Sequence, residues 1–205
     1  MHDRSPSAGA ANSACAHAVH FCDHDYPADA ASDFIAAGLR AGEGCILLLP
    51  LPHRHAVEQR LRALGLDPQQ APNGTRGSYQ SIDTHEALAA MQVDGQLDLA
   101  RAREMLATLF DAAANGGMRG ARAVGDPAPT LLASGQADDA VALESLVDRL
   151  AAAYGAKVHC AYPIADLCRF GQMQTLFDIC AEHRALAFPS AQLWARGFMS
   201  PRCAS

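Results

Sequence analysis

The sequence lacks any apolar run approaching the ~20 residues that a membrane-spanning helix requires. Its first stretch, MHDRSPSAGAANSACA, holds no hydrophobic segment, so a secretory signal is not expected there and a cytoplasmic setting is. Lysines and arginines never cluster, and with 16 basic against 22 acidic residues the formal net charge is −6. That balance argues against a broad phosphate-binding face, and no direct nucleic-acid partner is expected. The Gly-x-Ser-x-Gly and His-Glu-x-x-His signatures of hydrolases and zinc proteases are missing. None of the 7 cysteines falls in a Cys-x-x-Cys pair, and their odd number, spread over positions 15, 22, 45, 160, 168, 180 and 203, does not suit a disulfide framework. Reduced thiols are expected. Glycine and lysine are also absent where a phosphate loop would need them. The connection CDHDYPADAAS after the first strand candidate carries three aspartates instead, which would repel a triphosphate, so ATP hydrolysis by that route is not expected.

What is present is an ordinary globular mixture, 50% apolar and 19% charged, in 205 residues. That is one domain with chain enough to bury a sizeable core. Residues 1–15, rich in Ala, Ser and Gly, read as a flexible tail, 16–190 as the domain, and 191–205 as a C-terminal extension. The extension's Leu193, Trp194, Phe198 and Met199 suit either a homodimer contact or packing back on the sheet. Between the ends, strand-like and helix-like patterns alternate. Strands are predicted at Ala18–Phe21, Cys45–Pro50, Gly77–Asp83, Ala121–Val124 and Lys157–Tyr162, with an edge strand near Leu186–Phe188. Helices are predicted at Pro27–Ala41, Pro52–Leu64, Leu99–Ala114, Gln136–Tyr154 and Gly171–His183. In the first helix Phe34, Ala37, Gly38 and Ala41 are read as one face; in the second, Val57, Leu61 and Leu64 align and Gly65 is the stop. Alternating strands and helices imply an α/β fold with a mostly parallel central sheet flanked by helices.

Ligands of such sheets bind beyond the carboxyl ends of the strands. The residues expected on that rim are Cys22, Asp23, His24 and Tyr26, then Pro50, His53 and His55, then Asp126, then Tyr162, with His159 and Cys160 on opposite faces of the last strand. On the first strand His20, Cys22 and His24 point the same way, because side chains alternate. Imidazole and thiolate are good zinc or copper donors, so these three with His53 are a candidate metal site. The plainer alternative packs His20 in the sheet and leaves His24 as a solvated turn residue. Cys22 beside His24 or His53 would also make a nucleophile or an oxidant-sensing thiol, unless it is only a small buried hydrophobe. Asp126, between Gly125 and Pro127, reads as a polar pocket wall or a turn residue. Gln69–Gly77, rich in Gly, Pro and Gln, is the segment most suited to move on binding.

The order of the pieces resembles one family. HAVHFC is followed by FIAAGLRAGEGCILLLP, LRALGLD, DGQLDLARAREML, GARAVGD, Leu143-Glu144, VHCAY and a late Ala-Glu-His. This succession, from about His17 to about Phe188, is similar to the MEDS family, the methanogen/methylotroph sensory domain. The resemblance implies a RecA/KaiC-like three-layer sandwich that has lost its phosphate loop. It also implies a non-enzymatic sensor for a small molecule, with hydrocarbon derivatives among the candidates. Family pocket positions match at His17, Cys160, Tyr162 and His183. The sequence departs from the family pattern at Cys22, where an aromatic is usual, and at Gly125-Asp126-Pro127, where Gly-Glu-Met is usual. The resemblance also implies a signalling partner such as a histidine kinase or a transcriptional regulator. No output domain lies in these residues, so a stand-alone module acting on a separate partner is expected. The ligand-binding set is therefore His17, Cys22, His24, Tyr26, His53, Asp126, Cys160, Tyr162 and His183. A metal, haem or redox role for His20, Cys22, His24 and His53 is the alternative, and the cofactor is unassigned.

Overall fold

The computed structural model describes residues 17–22, 25–66, 79–116, 120–163, 173–183 and 185–187. His24, the N-terminal tail, Gln69–Gly77 and the C-terminal extension lie outside the described residues. Six strands form one parallel sheet: β1 (His17–Cys22), β2 (Gly44–Leu49), β3 (Tyr79–Asp83), β6 (Ala121–Gly125), β7 (Lys157–Pro163) and β8 (Ala185–Ala187). Their order across the sheet is β3-β2-β6-β7-β1-β8. A two-stranded hairpin, β4 (Gln92–Val93) and β5 (Gln96–Leu97), stands apart and turns at Asp94-Gly95, both with positive φ. Asp-Gly suits a two-residue hairpin turn that needs that conformation twice.

Helices α1 (Ala28–Ala41) and α2 (Leu51–Ala63) cover one face of the sheet. The other face carries α3 (Thr84–Met91), α4 (Leu99–Gly116), α5 (Pro127–Ala133), α6 (Ala137–Tyr154) and α7 (Met173–Glu182). The result is a three-layer α/β sandwich. All six residues of β2 are buried, as its unbroken apolar run requires of a strand covered on both faces. Alternation along β2 sends Ile46 and Leu48 to the larger core and Cys45, Leu47 and Leu49 to the smaller one.

The predicted face of α1 needs correction. The helix buries Ala31, Ser32, Ile35, Ala36 and Gly38, while Ala37 and Ala41 are exposed. Ile35 is the large aliphatic that the helix buries completely, and the small residues around it let the helix approach the sheet. In α2, Val57 and Leu61 are buried as expected, but Leu64 is exposed because the helix ends at Ala63 and Gly65 turns away with φ 73°. Two helices were missed altogether. Helix α3 is short and starts at a cap, with Asp83 accepting from the backbone N–H of His85 and Glu86. Helix α5 starts at Pro127, read from sequence as a break, although proline suits the first helical position.

The phrase GLRAGEG builds a joint at the amino ends of the strands. Gly42 ends α1 in the left-handed conformation, with φ 73°. Glu43 pairs with Arg122 and, at 3.1 Å, with Lys157, the first residue of β7. Arg122 also donates to the Phe34 carbonyl and lies over the Phe34 ring. Gly44 runs so close to α4 that a Cβ there would overlap the Ala113 backbone. The motif thus anchors the end of the sheet opposite the rim.

Candidate functional site

Four neighbouring strands deliver the walls of one cleft. Cys22 ends β1, Pro50 follows β2, Asp126 follows β6 and Pro163 ends β7. Tyr26 before α1, His53 and His85 in the first turns of α2 and α3, and Thr130 and Ser134 of the α5 region close around a space of about 370 Å³. That is within the range of small-molecule sites, near its lower end.

Asp126 is 4% exposed. Its Oδ2 lies 2.9 Å from Nδ1 of His53, whose ring stacks on Tyr26 at 4.2 Å. A carboxylate only accepts, so Nδ1 carries the donated proton. Asp126 Oδ1 and the Tyr26 hydroxyl are both buried and have no hydrogen-bond partner among the described residues. Burial pushes the Asp126 carboxyl above the usual carboxylate range; the His53 hydrogen bond and charge oppose this, and the charge of Glu144 adds to it. Burial also pushes the Tyr26 hydroxyl up, with the charge of Asp126 adding, so it stays a neutral donor. The cleft is therefore lined by one residue with a free acceptor and another with a free donor.

A second constellation lies on the other side of β1 and β7. Glu144 of α6 is 1% exposed and its ion-pair partners among the described residues are both histidines. His17 Nε2 is 3.2 Å from Glu144 Oε2, His183 Nε2 is 3.5 Å away, and Cys160 Sγ is also 3.5 Å away. Tyr162 donates to the opposite oxygen, Oε1, at 2.5 Å. Burial would raise the Glu144 carboxyl, but the His17 hydrogen bond, the two histidines and the Tyr162 hydroxyl bring it down to about 2. Burial and then Glu144 push the Cys160 thiol well up. A small apolar cavity of about 40 Å³ adjoins this cluster between the sheet and helices α4 to α6.

Eight of the nine expected ligand residues thus divide in two, the ninth, His24, lying outside the described residues. Cys22, Tyr26, His53 and Asp126 gather in the rim cleft. His17, Cys160, Tyr162 and His183 gather around Glu144 instead, because successive β7 side chains alternate faces: His159 and Ala161 go one way, Cys160 and Tyr162 the other. Tyr162 is fully buried and turns away from the rim where it was expected. Of the expected metal quartet, His20 meets the ring of His159 at 5.9 Å, Cys22 and His53 line the cleft, and His24 lies outside the described residues. Among the described residues the set of His, Cys and carboxylate donors close enough for one ion is His17, Glu144, Cys160 and His183. His55 is exposed and does not line the cleft. Sequence reasoning missed His85, Thr130 and Ser134, and gave Glu144 no site role although Leu143-Glu144 is part of the family succession. The signal for Glu144 was there: a single carboxylate between Leu143 and Val147 on the apolar stripe of α6.

The family profile described as the methanogen/methylotroph, DcmR sensory domain matches residues 17–184, spanning both constellations. The chain belongs to the MEDS family. No curated protein matches it. The MEDS family is a family of sensory domains, which gives this chain a sensory role. No helix among the described residues is long and apolar enough to cross a membrane.

Proposed function

We propose that this MEDS domain is a sensor rather than a catalyst, that it binds a small molecule in the rim cleft, and that it signals to a separate partner such as a histidine kinase or a transcriptional regulator. The observation that carries this reading is the pair of unpartnered buried atoms, Asp126 Oδ1 and the Tyr26 hydroxyl, beside about 370 Å³ of space. Leaving a buried polar group unpaired costs ~1–3 kcal/mol, and a ligand that donates to Asp126 and accepts from Tyr26 recovers that cost. The ligand class is a compact organic molecule with a hydroxyl or amine beside an acceptor, its remaining surface apolar enough for Pro50, Pro129, Ala133, Ala161 and Pro163. The adjoining cavity of about 40 Å³ takes only a few atoms, which favours the cleft.

A thermal-shift screen of small alcohols, amines, hydroxy acids and hydrocarbon-derived acids tests this. A true ligand at 100-fold over its Kd adds ~2.7 kcal/mol, or ~5–10 °C in a chain of this size. Tyr26→Phe and Asp126→Ala are expected to abolish the shift while staying folded. A shift that survives both variants would place the ligand elsewhere and end this reading.

A further inference from the structure

Beyond the rim cleft, we propose that His17, Cys160, His183 and Glu144 form a binding site for a zinc-class divalent ion, buried between β1, β7, α6 and the end of α7. The donor atoms lie within 4.8 Å of one another. Four of their separations are 3.2, 3.5, 3.5 and 3.5 Å. A tetrahedral ion with bonds of about 2.0–2.3 Å requires donors ~3.3–3.7 Å apart, so these four already fit and the other pairs, at most 4.8 Å apart, close by about 1 Å at most. Two imidazoles, a thiolate and a carboxylate suit zinc, whereas magnesium and calcium prefer oxygen throughout.

The surrounding groups hold the donors in the required states. His183 Nδ1 meets the Ile179 carbonyl at 2.6 Å. A carbonyl only accepts, so Nδ1 bears the proton and Nε2 of the neutral ring is a bare lone pair. That Nε2 is buried, has no hydrogen-bond partner among the described residues, and faces Glu144. In a purely hydrogen-bonded core the neutral His183 ring turns this lone pair toward a carboxylate, and only its protonated form would pair with Glu144. His17 also turns Nε2 toward the cluster, 3.2 Å from Glu144 Oε2, where an ion would replace the proton it donates there, and its Nδ1 lies 3.7 Å from Asp148. Tyr162 fixes the oxygen of Glu144 that points away from the other donors. Outer groups of this kind orient ligands in metal centres. On binding, Cys160 releases its thiol proton to solvent. Two positive charges then meet one thiolate and one carboxylate, so the buried centre is neutral.

The test uses the full chain with any affinity tag removed, stripped by a chelator, then titrated with Zn²⁺ against a chromophoric competitor and with Co²⁺ followed by absorbance. Stoichiometric binding is expected, with a thiolate-to-cobalt charge-transfer band and tetrahedral d–d bands. Cys160→Ser removes that band and weakens zinc binding ~100-fold or more, Tyr162→Phe keeps the band and weakens binding ~10-fold, and Cys22→Ser changes neither. Circular dichroism and melting confirm that each variant folds. A folded wild-type chain that binds no ion, or binds cobalt without a thiolate band, overturns the proposal whether or not Cys160→Ser folds. A band lost in Cys22→Ser and kept in Cys160→Ser overturns it too, by moving the metal to the rim.

Discussion

At the scale of a residue, Asp126 sets stability against binding. Its carboxyl is buried, one oxygen is held by His53 and the other has no partner among the described residues. Burial raises its pKa despite His53, and Glu144 across β7 repels its charge. A group whose folded pKa is raised binds its proton more tightly in the native state. Stability therefore falls as pH rises from the ordinary carboxylate pKa, about 4, to the raised value, and the deficit persists above it. Asp126→Asn removes that slope. It is expected to melt higher than the native chain at pH 7, to match it more closely at pH 4, and to lose affinity for any ligand that donates to Oδ1. Melting curves at the two pH values check this; equal melting temperatures at pH 7 would mean that His53 fully offsets the burial.

The elements divide the chain into a fixed floor and a working rim. GLRAGEG belongs to the floor: Gly44 is pressed against Ala113 of α4, and Glu43 ties β2 to β6 and β7. Gly44→Ala forces backbone apart, so it is expected to cost ~3 kcal/mol or more, a fall of ~6–12 °C in melting temperature. Gly38→Ala meets only the side chains of Arg122 and Cys45 and is expected to cost less. Thermal melting of the two variants ranks them. The floor was legible in the sequence because its signals are local: the apolar run of β2 and the helical pattern of Gln136–Tyr154. The rim was half legible. Cys22, Tyr26, His53 and Asp126 follow from placing residues at strand ends, whereas Thr130 and Ser134 depend on α5, whose two prolines resemble a loop. Glu144 was hidden because periodicity scores a lone carboxylate on an apolar stripe as noise. Its partnership with His17 and His183 depends on which strands become neighbours, and no local pattern contains that.

For the whole molecule, the two constellations share strands. Ala161 and Pro163 of β7 face the cleft while Cys160 and Tyr162, between and beside them, face Glu144. Between the two lies α5, seven residues long, which begins at Asp126 in the cleft and packs on α3, α6 and β7. A sensor needs an element whose two positions differ in affinity for the ligand, since a ligand that binds both equally shifts nothing. Helix α5 is the candidate for that element: it is short, it carries Pro129, Thr130 and Ala133 into the cleft, and its far side rests on the helix that bears Glu144. Saturating the cleft is therefore expected to slow amide exchange in α5 and the first turn of α2, with β2 and β6 unchanged. Hydrogen exchange with and without ligand measures this directly. Protection spread evenly over the sheet would show global stabilisation without a local switch, and would leave α5 as a wall of the cleft rather than the part that moves.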